Sequence, residues 1–203
     1  MNSIEKLTQI FAQFPGIGPR QAKRFVYFLL TRNNGSLEEF SKNIADLKKD
    51  ITVCKDCQRF FEKKHEKIEL CQICSDQTRD SSLLMLVQRD IDLDSVERNG
   101  GFKGIYFVLG GSIPILEKDP EKRIRIKELK NFINNKKNLK EIILATNWNP
   151  EGENTADFVE KMLNTECSTK KIKISHLGKG LSMGSELEYT DPDTLKNALK
   201  NRT

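Results

Sequence analysis

Apolar residues recur at helical spacing through the N-terminal quarter of the chain, then switch to short buried runs beyond Ser82. Ile4, Leu7, Phe11 and Phe14 fall on one face, and Ser3 is placed to cap the helix that carries them. Phe14-Pro15-Gly16-Ile17-Gly18-Pro19 stops that helix, since two prolines and two glycines remove both donors and rigidity. A second helix is predicted over residues 20–31, burying Ala22, Phe25, Val26 and Leu29, and Asn33-Asn34-Gly35 ends it. Ser36 with Glu39 reads as a capping box for a third helix, whose buried stripe is Leu37, Phe40, Ile44 and Leu47. From Ser82 the pattern alternates. Strands are predicted over 83–87, 104–109, 142–145 and 171–175, and helices over 92–99, 121–135 and 155–163. Alternation of this kind predicts a mostly parallel sheet with right-handed crossovers and helices on both faces. Past Gly178 and Gly180 the pattern predicts an extended stretch at Leu187–Tyr189 and a last helix over 193–200.

Residues 54–76 fit neither period and carry the strongest local signal. Cys54-x-x-Cys57 and Cys71-x-x-Cys74 can set four thiolates at the corners of a tetrahedron, which suits one Zn²⁺ per chain. A redox dithiol needs only one such pair. Four thiolates leave no open position, so the metal is expected to be structural. His65 is then surplus, and Cys167 is expected to be a plain small apolar residue.

Composition narrows the class further. The 203 residues are 37% hydrophobic and 31% charged, with Lys+Arg 34 against Asp+Glu 29 and a net charge of +5, enough apolar surface for a core and a mildly basic whole. No apolar run is long enough for a membrane span, no secretory signal opens the chain, and a cytoplasmic location with reduced thiols is expected. Within Pro15–Pro19, Gly16 and Gly18 permit close approach of backbone to a phosphate, and Arg20, Lys23 and Arg24 follow as cations at the next helix start. That is the pattern of a helix-hairpin-helix that binds DNA without reading sequence. The lysines of 121–140 and Lys170, Lys171, Lys173 and Lys179 read as solvated faces. No Walker loop, nucleophile elbow or histidine-based triad occurs, and no residue is assigned a catalytic role.

Taken in order, the hairpin, the cysteine quartet, Ile143-Leu-Ala-Thr-Asn147 with Glu151-Gly152, and Met183-Gly-Ser-Glu-Leu-Glu-Tyr189 resemble the bacterial RecR recombination-mediator family over essentially the whole chain. The resemblance implies a multidomain α/β protein: a helix-hairpin-helix module (1–53), a four-cysteine zinc finger (54–76), a Toprim domain (77–176), and a Walker-B-like segment with a C-terminal helix (177–203). It implies a non-enzymatic, nucleoid-associated mediator of recombinational DNA repair. Such a protein forms a ring tetramer or dimer, binds DNA, and acts with RecO and RecF to load RecA at gapped or broken DNA. Arg20 and Arg24 match the family's DNA-binding hairpin residues, and Cys54, Cys57, Cys71 and Cys74 its zinc ligands. Asp92 and Glu151 match acidic Toprim positions implicated in partner binding. Gln88 stands where the first Toprim strand usually runs into a glutamate, and Gly110-Gly-Ser-Ile-Pro-Ile-Leu116 departs from the usual loop. The rival readings are a Mg²⁺-dependent Toprim nuclease or primase-like enzyme, which needs that glutamate and an Asp-x-Asp after the second strand, and a zinc-stabilised adaptor that binds only proteins.

Overall fold

A computed structural model describes residues 1–63, 68–178, 180, 181, 184 and 186–200. His65, Lys179, Met183 and Ser185, singled out above or lying within a motif quoted there, fall outside the described residues. The chain divides into two compact units, Met1–Thr52 and Val53–Thr203.

The first unit holds α1 (Ser3–Phe11), α2 (Pro19–Leu30) and α3 (Asn34–Asp50). The caps lie upstream of the residues expected to supply them. Asn2, not Ser3, closes α1: its side chain accepts from the Glu5 amide while its own amide donates to Glu5 Oε2. Asn33 caps α3 by accepting from the Ser36 amide, which makes Ser36 the third residue of the helix and not its cap. Asparagine accepts as well as serine does, and periodicity alone does not choose between neighbours. Ala22 and Val26 are buried, and the Phe11 ring meets Phe14 and Phe25 edge-on. The α3 stripe differs from expectation: Phe40, Ile44 and Leu47 are 46%, 58% and 61% exposed. Periodicity marks the apolar face of a helix without saying what covers it.

The second unit begins at the end of β1 (Ile51–Val53) and continues through β2 (Phe60–Glu62), α4 (Gln72–Ser75), β3 (Asp80–Val87), α5 (Asp90–Asn99) and β4 (Gly104–Val108). A short 3-10 turn at Pro120–Lys122 precedes α6 (Ile126–Asn135), β5 (Glu141–Ala145), α7 (Pro150–Lys170) and β6 (Lys173–His176). A second such turn at Leu187–Tyr189 replaces the extended stretch expected there and leads to α8 (Pro192–Lys200). Strands pair in the order β4-β3-β5-β6, all parallel, with Leu84 opposite both Ile105 and Ile142, and Ile142 opposite Ile174.

Strand alternation then sorts the side chains into two cores. Leu84, Leu86, Ile105, Phe107, Ile142 and Leu144 face the apolar residues of α6 and α7, such as Leu129, Ile133, Val159 and Leu163. Met85, Val87, Tyr106 and Val108 face Leu93 of α5 and three of the four motif cysteines. A sheet covered on both sides explains why β4 is buried throughout. Cys167 sits in the first core, 3% exposed, as expected of a small apolar residue.

Two helices differ in extent. The charged helix starts five residues late, because residues 123–125 run beside the end of β4: the Arg125 amide donates to Leu109 O at 2.9 Å, and Ile124 is buried. Helix α7 runs 21 residues, with Asn149 as its cap and Pro150 at its first position. It ends at Lys171 in the left-handed region, φ +56°. Its start is tight: a Cβ on Gly152 would lie 2.0 Å from the Asn147 carbonyl oxygen. One turn on, buried Thr155 donates to Glu151 O at 2.6 Å and accepts from the Ile113 amide at 2.8 Å, which ties the loop after β4 to α7.

Arg79 fastens α5 across the sheet edge. Its guanidinium grips both Glu97 oxygens, at 2.9 and 2.5 Å, and also donates to Gly104 O. Burial works against the Glu97 carboxylate, but Arg79 outweighs it and holds the carboxyl below its ordinary 4.5.

Two outcomes follow from this packing. Gly152→Ala forces a backbone shift and should lower stability by about 1–3 kcal/mol, read as a thermal midpoint lower by several degrees; an unchanged midpoint would contradict it. The lowered Glu97 pKa contributes stability that is present above pH 4.5 and lost as pH falls through the folded value. Glu97→Gln should therefore be less stable at neutral pH and lose less stability on acidification, compared by urea unfolding across that range.

Candidate nucleic-acid interface and metal centre

The α1–α2 connection is a pair of tight turns. The Phe14 amide donates to Phe11 O at 3.1 Å and the Ile17 amide to Phe14 O at 3.0 Å. Gly16 sits at φ +76°, which favours glycine, and a Cβ at either Gly16 or Gly18 would meet nothing within 4 Å. Gly18 is the N-cap of α2, its carbonyl accepting from the Ala22 amide at 2.9 Å, and it has no side chain to satisfy the first-turn amides. Pro19 at the first helical position has no N–H. The helix start is thus open, exposed and rich in donors.

Charge at this spot runs against helix stability. Arg20, Lys23 and Arg24 are all exposed in the first turns of α2, where the helix dipole disfavours cations, and no acidic residue accompanies them in the first turn. Arg24 donates to Gln21 Oε1 at 3.3 Å, and none of the three has an ion-pair partner among the described residues. Spaced three and four apart, they share a face. A phosphate placed there would answer the free amides and all three cations at once.

The cysteine quartet converges as its spacing predicts. The Sγ atoms of Cys54, Cys57, Cys71 and Cys74 all lie within 4.8 Å of one another, and Cys57 and Cys71 are 3.6 Å apart. Each pair is shaped by backbone bonds. Gln58 adopts φ +62° so that its amide reaches Cys54 O at 3.0 Å, while the Cys54 amide donates to Arg59 O at 2.8 Å. The Cys71 amide donates to Cys54 Sγ at 3.4 Å, joining the two pairs. Buried thiolates this close repel, so the donor set fits a metal cation.

The cluster is bolted to the sheet. The Val108 amide donates to Cys57 O at 2.8 Å, and Arg125 Nη1 donates to Gln58 O at 2.6 Å and to Val108 O at 3.3 Å. Lys136 pairs with Asp56, Arg59 with Asp94, and the Phe60 amide donates to Asp90 Oδ1. Residues 54–74, which carry few branched apolar side chains, therefore join a shared core instead of standing apart from one, with Ile73 and Leu70 packed in it. None of Arg125, Asp90 or Lys136 stood out in the sequence as fastening residues, since long-range bonds to carbonyls leave no local pattern.

At the carboxyl ends of the strands lies a cavity of about 220 Å³ lined by Gln88, Arg89, Gly111, Ser112, Asn147, Asn149 and Glu151. Gln88 is 2% exposed and accepts from the Asn147 amide at 3.0 Å. Glu151 reaches the cavity and accepts from Ser112 Oγ at 3.0 Å. Asp92 does not line it: its carboxylate accepts from the Arg89 amide at 2.9 Å, at the start of its own helix. The two acidic candidates thus have different employment. Ser112, Asn147 and Asn149 line the cavity without having been singled out; Gly110-Gly111, with Gly110 at φ +91°, was the signal of a tight loop there. Among the described residues, the cysteine quartet is the one group of three or more such ligands that could hold a metal ion.

Cys71→Ser should retain well under one equivalent of metal by elemental analysis and should melt earlier, because site formation and local folding are coupled. Full occupancy in that variant would contradict the assignment of all four thiols to one ion.

Three family descriptions match the chain on either side of residues 49–81: RecR helix-hairpin-helix at residues 4–48, Toprim domain at 82–178, and RecR C-terminal at 180–203. Recombination protein RecR of Lactobacillus helveticus is 34% identical over 200 residues, 98% of this chain and 96% of its own length. The RecR proteins of Staphylococcus saprophyticus and Staphylococcus aureus are each 35% identical over the same span and shares. At that identity over nearly the whole of both chains, the chain belongs to the RecR family of recombination proteins.

Proposed function

We propose that the protein is a non-enzymatic mediator of recombinational DNA repair that binds DNA through its hairpin without reading sequence. The observation that carries this reading is the start of α2. Two glycines with open space around them, unanswered first-turn amides and three unpaired cations sit where a helix alone would disfavour positive charge. Gly16 and Gly18 admit the phosphate, Arg20 and Arg24 grip the backbone, and Lys23 adds to the local positive field.

The metal is Zn²⁺. Zinc–sulfur bonds of about 2.3 Å put tetrahedral sulfurs about 3.8 Å apart, close to the 3.6 Å between Cys57 and Cys71. Bound there, the ion cross-links the two cysteine pairs; all its positions are filled by Cys54, Cys57, Cys71 and Cys74, so it takes no part in chemistry. Residues 1–53, 54–76, 77–176 and 177–203 divide the labour as hairpin module, zinc finger, Toprim domain and C-terminal segment.

A metal-dependent phosphodiesterase finds less support. Gln88 replaces a carboxylate and spends its oxygen on the Asn147 amide, the strand after it ends in Gly110-Gly111, and Asp92 is occupied at its own helix. A hard cation needs several converging oxygens. Glu151, which lines the cavity, is better suited to a protein partner, with RecO or RecF as the partner class and RecA loading as the outcome; Asp92 is the second acidic position we assign to partner binding, at the start of α5 and outside the cavity. Several hairpins around one duplex are needed for firm binding, which supports a ring tetramer or dimer. So does the apolar groove of about 470 Å³ among Phe11, Phe14, Phe25, Phe28 and Phe40, which a further copy would cover. No described helix is long and apolar enough to cross a membrane, in keeping with work at the nucleoid in the cytoplasm.

Arg20→Ala with Arg24→Ala should weaken binding to every duplex about equally and flatten the salt dependence by about one to two units per subunit engaged. Fluorescence anisotropy over a salt series reads both. A folded double variant with unchanged affinity and slope would overturn the hairpin reading.

A further inference from the structure

All four strands of the sheet begin at one edge, so the residues that open them share it. Lys103 precedes β4, Lys140 precedes β5, and Lys171 and Lys173 flank the start of β6. Backbone bonds fix these neighbours: the Lys140 amide donates to Ser82 O at 2.8 Å, the Lys173 amide to Lys140 O at 2.9 Å, and the Asp80 amide to Lys103 O at 2.9 Å. Strands stand about 4.8 Å apart, so the lysine backbones step along the edge at one- and two-strand intervals. Lys137 joins them, lining with Asp80, Ser81, Ser82, Asn138 and Lys140 an open concavity of about 660 Å³. All five lysines are exposed.

Two carboxylates face them and do not neutralise the edge. Glu141 takes Lys173 at 3.4 Å and the Ser175 hydroxyl at 2.6 Å. Asp80 accepts from the Ser82 amide and is held below the usual carboxylate range by Ser82, with Lys140 nearby. Lys103 feels Asp76 and Glu97. Lys137 and Lys171 have no carboxylate partner among the described residues.

Helix dipoles do not account for the surplus. The C-terminal end of α6 is already answered by Lys170, which donates to Ile133 O at 3.1 Å and to Asn134 Oδ1, and Lys136 is held by Asp56. The opposite end of the sheet carries Asp90, Asp92, Glu151 and Glu153 against Arg89 and Arg125. The unit is therefore polarised, basic where strands begin and acidic where they end.

That polarity selects the partner. Protein partners seat aromatic or aliphatic anchors, and membranes need an apolar face beside the cations; Leu139, the one apolar residue of the concavity, is 6% exposed. Ammonium groups in a row, outnumbering the Asp80 and Glu141 carboxylates beside them and interspersed with hydroxyls and an amide, match the phosphates of a duplex. We propose that Lys137, Lys140 and Lys171 form a second, sequence-independent contact to the DNA phosphate backbone, with the acidic end turned away. It rests on the reading of the protein as a DNA binder and adds a surface apart from the hairpin.

The test uses the full chain and a fluorescein-labelled duplex. Lys137→Ala, Lys140→Ala and Lys171→Ala combined should weaken binding roughly tenfold at low salt and flatten the salt slope by up to about one unit per lysine. In the unaltered chain, duplex should shield these three lysines from acetylation, read by mass spectrometry, while Lys127 on the exposed side of α6 stays reactive. Unchanged affinity and slope in a folded triple variant, or no shielding, overturns the proposal and leaves the hairpin reading intact. If the Arg20/Arg24 variant keeps full affinity while the lysine variant loses it, the hairpin reading falls and this one stands. Equal shielding by polyglutamate or by anionic vesicles at the same ionic strength overturns the assignment to DNA.

Discussion

The Val108 amide lies at the end of an edge strand, with the Cys57 carbonyl 2.8 Å away as its acceptor. Around that bond the Arg125 guanidinium draws Gln58 O and Val108 O together, and three cysteines enter the core that Met85, Val87 and Tyr106 form beneath them. One face of the sheet is covered by helices in the ordinary way. Much of the other is covered by a short, polar segment that has little apolar surface of its own and gathers four thiols into a group that could hold a cation. Metal site, edge strand and second core are consequently one structural problem with one solution.

The sequence disclosed whatever depends on local period or local spacing. Two Cys-x-x-Cys pairs announced the cluster, the Pro-Gly-Ile-Gly-Pro run announced the hairpin, and runs such as Leu83–Val87 announced doubly covered strands. Long-range partners left no such mark. Arg125 looks like one more cation in a charged stretch, yet it delays α6 and secures the knuckle. Asp90 and Asp92 stand two apart after the first strand with nothing local to say what they hold, and each accepts from a backbone amide. The stripe on α3 was legible as apolar, but its period does not say what covers it, and Phe40, Ile44 and Leu47 are exposed in the single chain.

The two cationic surfaces differ in kind. At the hairpin, donors and positive charge converge on one spot with a fixed direction, as suits a single phosphate held closely. Along the amino-end edge, ammonium groups on flexible stems spread over several strands, as suits a long polyanion whose position need not be exact to the ångström. Neither kind of surface would carry sequence information, because contacts to phosphates position a protein on a duplex without reading its bases.

Lys171 shows what such a surface demands of the fold. It closes α7 at φ +56°, a conformation in which an L-residue is worse off than glycine by about 1 kcal/mol. Glycine would relieve that strain but would carry no side chain. With lysine there, the end of α7 accepts a small conformational cost and presents an exposed ammonium group on a long stem at the amino end of β6.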